Sequence, residues 1–205
     1  MSHSLNDKRA IRTKKLIRNA LSELIEEKGF NDITITDLTS RAEINRGTFY
    51  LHYTDKYDLL EKVESEVMEE IKEQTQCIDS INLLDLDTIN EPIPFMVKLF
   101  EYFKDNAKFM KAILGPKGDP LFHHKVKQFI ETNLFEKNLL NTLKKENILV
   151  PETYFISYVL SAHLGVVQQW LESDLEKPPK EMALILSRMF LLGPYKVITT
   201  KNTST

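Results

Sequence analysis

The sequence is poor in the residues that interrupt or staple a chain. It has one cysteine, Cys77, six glycines and eight prolines among 205 residues. A single thiol excludes an intrachain disulfide framework and CxxC zinc sites, and it suits a reducing cytoplasm. Val, Ile and Thr form no alternating runs, so half-buried strands are not indicated and an all-α fold is. The N-terminus lacks the apolar segment of a secretory signal. Residues 153–171 carry no formal charge but include Ser157, Ser161, His163, Gln168 and Gln169, which reads as a buried helix rather than a membrane span. The phosphate-cradling glycine loops, the HExxH pair and the nucleophile elbow are also missing, so the chain does not read as an enzyme. His123-His124 does not make a metal site, because adjacent helical side chains point apart and no third ligand is evident. No cofactor is indicated.

Charge, by contrast, is present and unevenly distributed. The net charge is −3, yet residues 1–56 hold 10 Lys/Arg against 8 Asp/Glu and the remainder 17 against 22. The excess is therefore +2 in the first part and −5 in the second. Within residues 8–18, Lys8, Arg9, Arg12, Lys14, Lys15 and Arg18 are basic. An acidic body with a basic end points to a polyanion partner.

Ile17, Ala20, Leu21, Leu24 and Ile25 recur at helical spacing and predict a helix over 8–28, its cations in the first turns where they oppose the helix dipole. Gly29 is placed as the left-handed residue that ends it. Thr34, with Asp37 three residues on, predicts a capped second helix whose inward face is Ile35, Leu38 and Ala42. Asn45 is a good cap for a short third helix, Arg46 to about Tyr53, and Thr54 for a long fourth, Asp55 to about Gln76. Helix, short turn, short helix is the helix-turn-helix pattern, whose second helix enters the major groove. Residues 77–94 read as a connection. An aromatic-rich helical run follows Pro94 and stops at the turn 114–120. Further helices are expected over 121–147, 151–173 and 180–196, with a disordered tail.

The N-terminal residues resemble the TetR family of bacterial transcriptional regulators. The resemblance rests on Ile17 to Ala20, Lys28-Gly29-Phe30, Thr34-Ile35-Thr36-Asp37-Leu38, and above all Asn45-Arg46-Gly47-Thr48-Phe49-Tyr50-Leu51-His52-Tyr53 with Lys56 and Leu59-Leu60. Ala42-Glu43-Ile44 departs from it, since the family has glycine where Glu43 stands, and Thr39 replaces a small residue. The resemblance implies an N-terminal three-helix DNA-binding domain, 1–54, and a helical regulatory and dimerisation domain, 55–205, linked by helix 55–76. It implies that Thr36, Arg46, Gly47, Thr48, Tyr50, His52 and Lys56 meet DNA. Arg46 is then the base reader, Gly47 allows close approach, and Lys56 anchors a phosphate. Phe49 and Leu51 are expected to turn inward.

The last two long helices are apolar nearly all round and must be covered on every side. This implies a homodimer through Leu160, Leu164, Val167, Trp170 and Leu171 of one helix, and Leu184, Ile185, Met189 and Leu192 of the other. Two reading heads on one twofold axis suit a palindromic operator in double-stranded DNA. By resemblance, the same half holds a small-molecule effector, with Phe100, Phe103, Phe122, Phe129, Tyr158 and His163 as candidate lining residues. The reading is thus a cytoplasmic, ligand-responsive repressor. The alternative is a helical interaction or ligand-binding module that does not bind DNA.

Overall fold

The computed structural model describes residues 2–75, 90–132 and 150–196, with backbone alone at 2–7, 120 and 194–196. Every regular element among the described residues is helical. The chain forms two compact units, Met1–Glu70 with Asn106–Val126, and Ile71–Asp105 with Lys127–Thr205. The connection 77–89, the continuation of the third-last expected helix beyond 132 and the tail lie outside the described residues.

The first unit opens with α1, Ser2–Lys28. Its stripe of Ile17, Ala20, Leu21, Leu24 and Ile25 is buried as the spacing requires. The helix begins a turn and a half before Lys8, so its cations lie beyond the first turn, where the dipole penalty fades. Gly29 donates to the Ile25 carbonyl at 2.9 Å and has φ 80, ψ 153, a positive φ with extended rather than left-handed helical ψ. A 3-10 turn, Phe30–Asp32, leads to α2, Ile35–Arg41. The capping box is complete: Thr34 Oγ1 accepts from Asp37 N at 3.2 Å and Asp37 Oδ2 from Thr34 N at 2.8 Å. Asp thus fills the position usually held by Glu or Gln.

The turn after α2 explains the unusual glutamate. Glu43 N donates to Ser40 O and Ile44 N to Thr39 O, while Glu43 has φ 54. These two crossed bonds are a Schellman motif, with Glu43 at the left-handed position that glycine normally occupies. Helix α3, Arg46–Tyr50, is capped by Asn45, whose Oδ1 accepts from Thr48 N at 2.8 Å. It is shorter than expected and stops at Leu51. Helix α4, Lys56–Thr75, is capped by Asp55 rather than Thr54: Asp55 Oδ1 accepts from Tyr57 N and Asp58 N, each at 2.8 Å. Leu38, Phe49 and Leu59 close the core between these helices and α1.

The aromatic run after Pro94 is two helices, not one. Helix α5, Pro94–Asp105, belongs to the second unit and α6, Ala107–Leu114, to the first. Asn106 breaks them with φ −111, ψ 18. The reason α6 joins the first unit is visible at α1. Arg18 lies over the Phe109 ring at 4.5 Å and bonds Asn106 Oδ1 at 3.3 Å. Lys108 pairs with Glu23 at 2.5 Å. In the turn before α7 (Pro120–Ile130), Lys117 Nζ donates to the Glu26 and Glu27 carbonyls, capping the C-terminal end of α1. A Cβ on Gly118 would stand 2.1 Å from the Ile113 carbonyl oxygen, so only glycine permits this turn. The first unit therefore takes more of the chain than residues 1–54.

The second unit packs α5 with α8, Glu152–Glu172, and α9, Pro179–Lys196. Phe100 meets Trp170 edge-on at 5.0 Å, and Trp170 Nε1 donates to Lys177 O at 2.9 Å. Ser187, fully buried, accepts from Ile93 N at 2.9 Å and donates to Ala183 O at 2.7 Å. No helix among the described residues is long and apolar enough to cross a membrane.

Candidate nucleic-acid interface

The residues expected to meet DNA sit on α2, α3 and the segment into α4. Thr36 on the first turn of α2 and Arg46 on the first turn of α3 are both exposed and bonded to each other, Arg46 Nη2 donating to Thr36 Oγ1. Because each helix begins at its own side-chain cap, the two residues are presented side by side at the open ends of the pair. Gly47 is exposed, and a Cβ there would meet only Asn45 Oδ1, at 3.3 Å. Packing within the chain therefore gives little reason for a glycine inside a helix, where it costs about 1 kcal/mol against alanine. Thr48 Oγ1 bonds Asn45 Oδ1 at 3.0 Å and reinforces the cap.

Tyr50 is exposed and braced edge-on against the buried Phe49 ring at 5.6 Å. His52 is partly buried beside Tyr53. Leu51, expected inside, is 81% exposed, and Tyr53 is the buried partner of Phe49. The segment follows the helical period, which puts 49 and 53 on one face, not the alternation that would pair 49 with 51. Exposed Tyr57 is a further aromatic beside this surface that the sequence reading passed over. It stacks edge-on with Phe30 at 5.6 Å.

Lys56 has another occupation than the one implied by resemblance. Its ammonium donates to Phe30 O at 3.3 Å, Asn31 O at 2.7 Å and Ile33 O at 2.9 Å, and lies over the Phe30 and Tyr57 rings. An ammonium has three N–H donors, and all are engaged. Lys56 thus ties the start of α4 to the 3-10 turn, and a phosphate there would have to displace a carbonyl.

The head is fixed to α1 by charge. Arg41 holds Glu27 through two bonds of 2.7 and 2.9 Å and Glu23 at 2.9 Å. Hydrogen bonds from Lys108 and Arg41 lower the Glu23 pKa, and Arg41 lowers that of Glu27. Asp37 is held well below the usual carboxylate range by Lys28 at 2.6 Å and by its capping bonds from Thr34.

The expected effector residues are divided between the two units. Phe122 is a buried member of the first unit, whereas Phe100, Phe103, Phe129, Tyr158 and His163 belong to the second. Phe100 and Phe103 pack edge-on as core, Phe129 is partly buried, and Tyr158 is 54% exposed. His163 Nδ1 bonds Val159 O at 2.6 Å, so Nδ1 carries the proton. Its Nε2 is buried with no partner among the described residues, and burial lowers the imidazole pKa. The residues expected at a dimer interface differ in burial. Leu160, Val167, Trp170 and Leu171 are buried within their own chain. Leu164, Leu184, Ile185 and Leu192 are partly exposed and Met189 is exposed, as is Tyr154 of the same helix as Leu160, at 74%; apolar periodicity alone does not rank the two faces of an all-apolar helix.

A capped helix-turn-helix on an α1 platform, with polar side chains at the open end of its second helix, defines a DNA-binding regulator. Residues 17–63 match the model described as bacterial regulatory proteins, tetR family, and residues 90–191 match a transcriptional regulator C-terminal region. The chain belongs to the TetR family of transcriptional regulators. It is 23% identical over 193 residues, 94% of its length, to the uncharacterized HTH-type transcriptional regulator YxbF of Bacillus subtilis (strain 168). It is 30% identical over 108 residues, 51% of its length, to the HTH-type dhaKLM operon transcriptional activator DhaS of Lactococcus lactis subsp. lactis (strain IL1403). The chain spans about half the length of these curated relatives, 48% and 58% respectively. Its fold matches that of a TetR transcriptional regulator from Streptococcus agalactiae 2603V, with a TM-score of 0.60 at 21% identity, covering 91% of this chain and 98% of that one.

Proposed function

We propose that the chain is a cytoplasmic, effector-responsive repressor that binds a palindromic operator as a homodimer and leaves it when a small molecule binds. The observation that carries the reading is the exposed Arg46–Thr36 pair at the start of α3, next to an exposed glycine in the first turn of that helix. A guanidinium there suits bidentate bonding to guanine O6 and N7 in the major groove. Thr48, Tyr50 and His52 supply flanking contacts to phosphates or thymine methyls. Two such heads spaced about 34–36 Å apart read half-sites one helical turn apart. Exposed Tyr154, Tyr158 and Met189 support a second copy against α8 and α9, since apolar rings on a helix surface gain from being covered. The effector acts by preferring one of two arrangements of the heads. Selection of duplexes from a random-sequence pool, repeated with candidate small molecules, tests the reading. A palindromic site whose retention falls with one compound supports it, and the absence of any enriched site favours a helical module without DNA binding. The name of the Lactococcus relative favours a second reading, activation. Transcription in vitro from a promoter carrying the selected site separates the two.

A further inference from the structure

The basic residues of α1 fall into two groups that the sequence alone does not separate. Lys14 and Arg18 are part of the fold. Lys14 Nζ pairs with Glu66 at 3.1 Å, and Arg18 bonds Asn106 and approaches Glu70 at 4.0 Å. Lys8, Arg9, Arg12 and Lys15 are exposed, and none of them has an ion pair or hydrogen bond among the described residues. At 100° per residue, Lys8, Arg12 and Lys15 lie on the side of α1 opposite the buried Ile17, Leu21 and Leu24, and Arg9 lies on the flank between the two sides.

Residues 8–18 contain no acid, so no carboxylate within this stretch of the helix neutralises the face. Lys8 and Arg12 are four residues apart, and Arg9–Arg12 and Arg12–Lys15 three, the spacings at which like charges on a helix repel. The face therefore works against the stability of the helix that carries it, and no ion pair among the described residues relieves it. A polyanion would. The same compact unit carries the reading head, so the polyanion complementary to this face is the duplex that α3 reads.

We propose that Lys8, Arg9, Arg12 and Lys15 form a second DNA contact, separate from the helix-turn-helix, that grips backbone phosphates and adds affinity without sequence preference. The inference rests on the DNA-binding reading above and extends it to residues outside the head. Each phosphate neutralised releases condensed counterions, so log K falls with log salt by about 0.9 per contact.

The test is binding of the full chain to a random-sequence duplex pool, and to the enriched duplex, across a salt series. The wild type is compared with the Lys8→Gln, Arg9→Gln, Arg12→Gln, Lys15→Gln combination. Gln is a good helix former, so α1 is kept. The expected result is a salt slope shallower by roughly 3 to 4 for the combination in each subunit, with the ratio of enriched to random binding unchanged. The variant should also melt no lower than the wild type at low salt, because repulsion has been removed. An unchanged slope, or a lost ratio with the slope intact, overturns the proposal while leaving the reading head in place. Failure of the wild type to bind any duplex overturns both.

Discussion

Glu64 of α4 is buried to 2% side-chain exposure, with one carboxylate oxygen on Lys125 Nζ at 2.5 Å and the other without a partner among the described residues. Burial raises its pKa above the ordinary 4.5, outweighing the Lys125 bond that lowers it. The native state then holds the Glu64 proton more readily than the unfolded chain. Stability contributed by this group is greatest when it is protonated and is lost as pH rises from 4.5 through the raised folded value. Glu64→Gln removes the buried charge at nearly constant shape. Its melting temperature at pH 8 should equal or exceed that of the wild type, and the difference should shrink on acidification toward pH 4.5. A variant that melts lower than the wild type at pH 8 would show that the ion pair, not desolvation, dominates.

Lys56 is expected to matter for folding as well as for any DNA contact. Lys56→Met keeps the aliphatic stem and removes the donors to three carbonyls. The loss should be about 1–3 kcal/mol, the range for leaving such acceptors unpaired, read from urea unfolding. A purely phosphate-binding lysine would leave the unfolding midpoint unchanged.

Arg46 is exposed and, among the described residues, its side chain bonds exposed Thr36, so Arg46→Ala should barely move the melting temperature. Its effect should appear in binding, as about 1–3 kcal/mol and relaxed preference at one base pair per half-site. Binding isotherms against duplexes substituted one pair at a time measure this directly.

Glu43 occupies a left-handed position with φ 54. Glu43→Gly should relieve the Cβ clash and raise stability by up to about 1 kcal/mol, less the greater entropy glycine gives the unfolded chain. Thermal unfolding decides it, and a fall in melting temperature would mean that the turn is not strained.

Much of the first unit was legible because its signals are local. Thr34 and Asn45 are caps whose bonds span three residues, and the α1 stripe is a single helical face. Glu43 marked the turn by standing where a glycine belongs. What was not legible depends on residues far apart in the chain. The Lys56 cage is built from carbonyls of residues 30, 31 and 33, more than twenty positions earlier. The break at Asn106 carries no proline or glycine, so α5 and α6 read as one helix until the packing of α6 on α1 separates them. Leu51 differs for another reason: a five-residue helix is too short to fix a period, and the fold pairs Phe49 with Tyr53 on the buried face, not with Leu51.

Lys117 closes α1 from about ninety residues downstream, in a turn that Gly118 alone permits. During synthesis, the reading head, complete in sequence by residue 56, leaves the ribosome before its platform is finished. Its last side is supplied only when the segment through Val126 has emerged. A nascent chain halted before that point would carry the whole helix-turn-helix on an unfinished core.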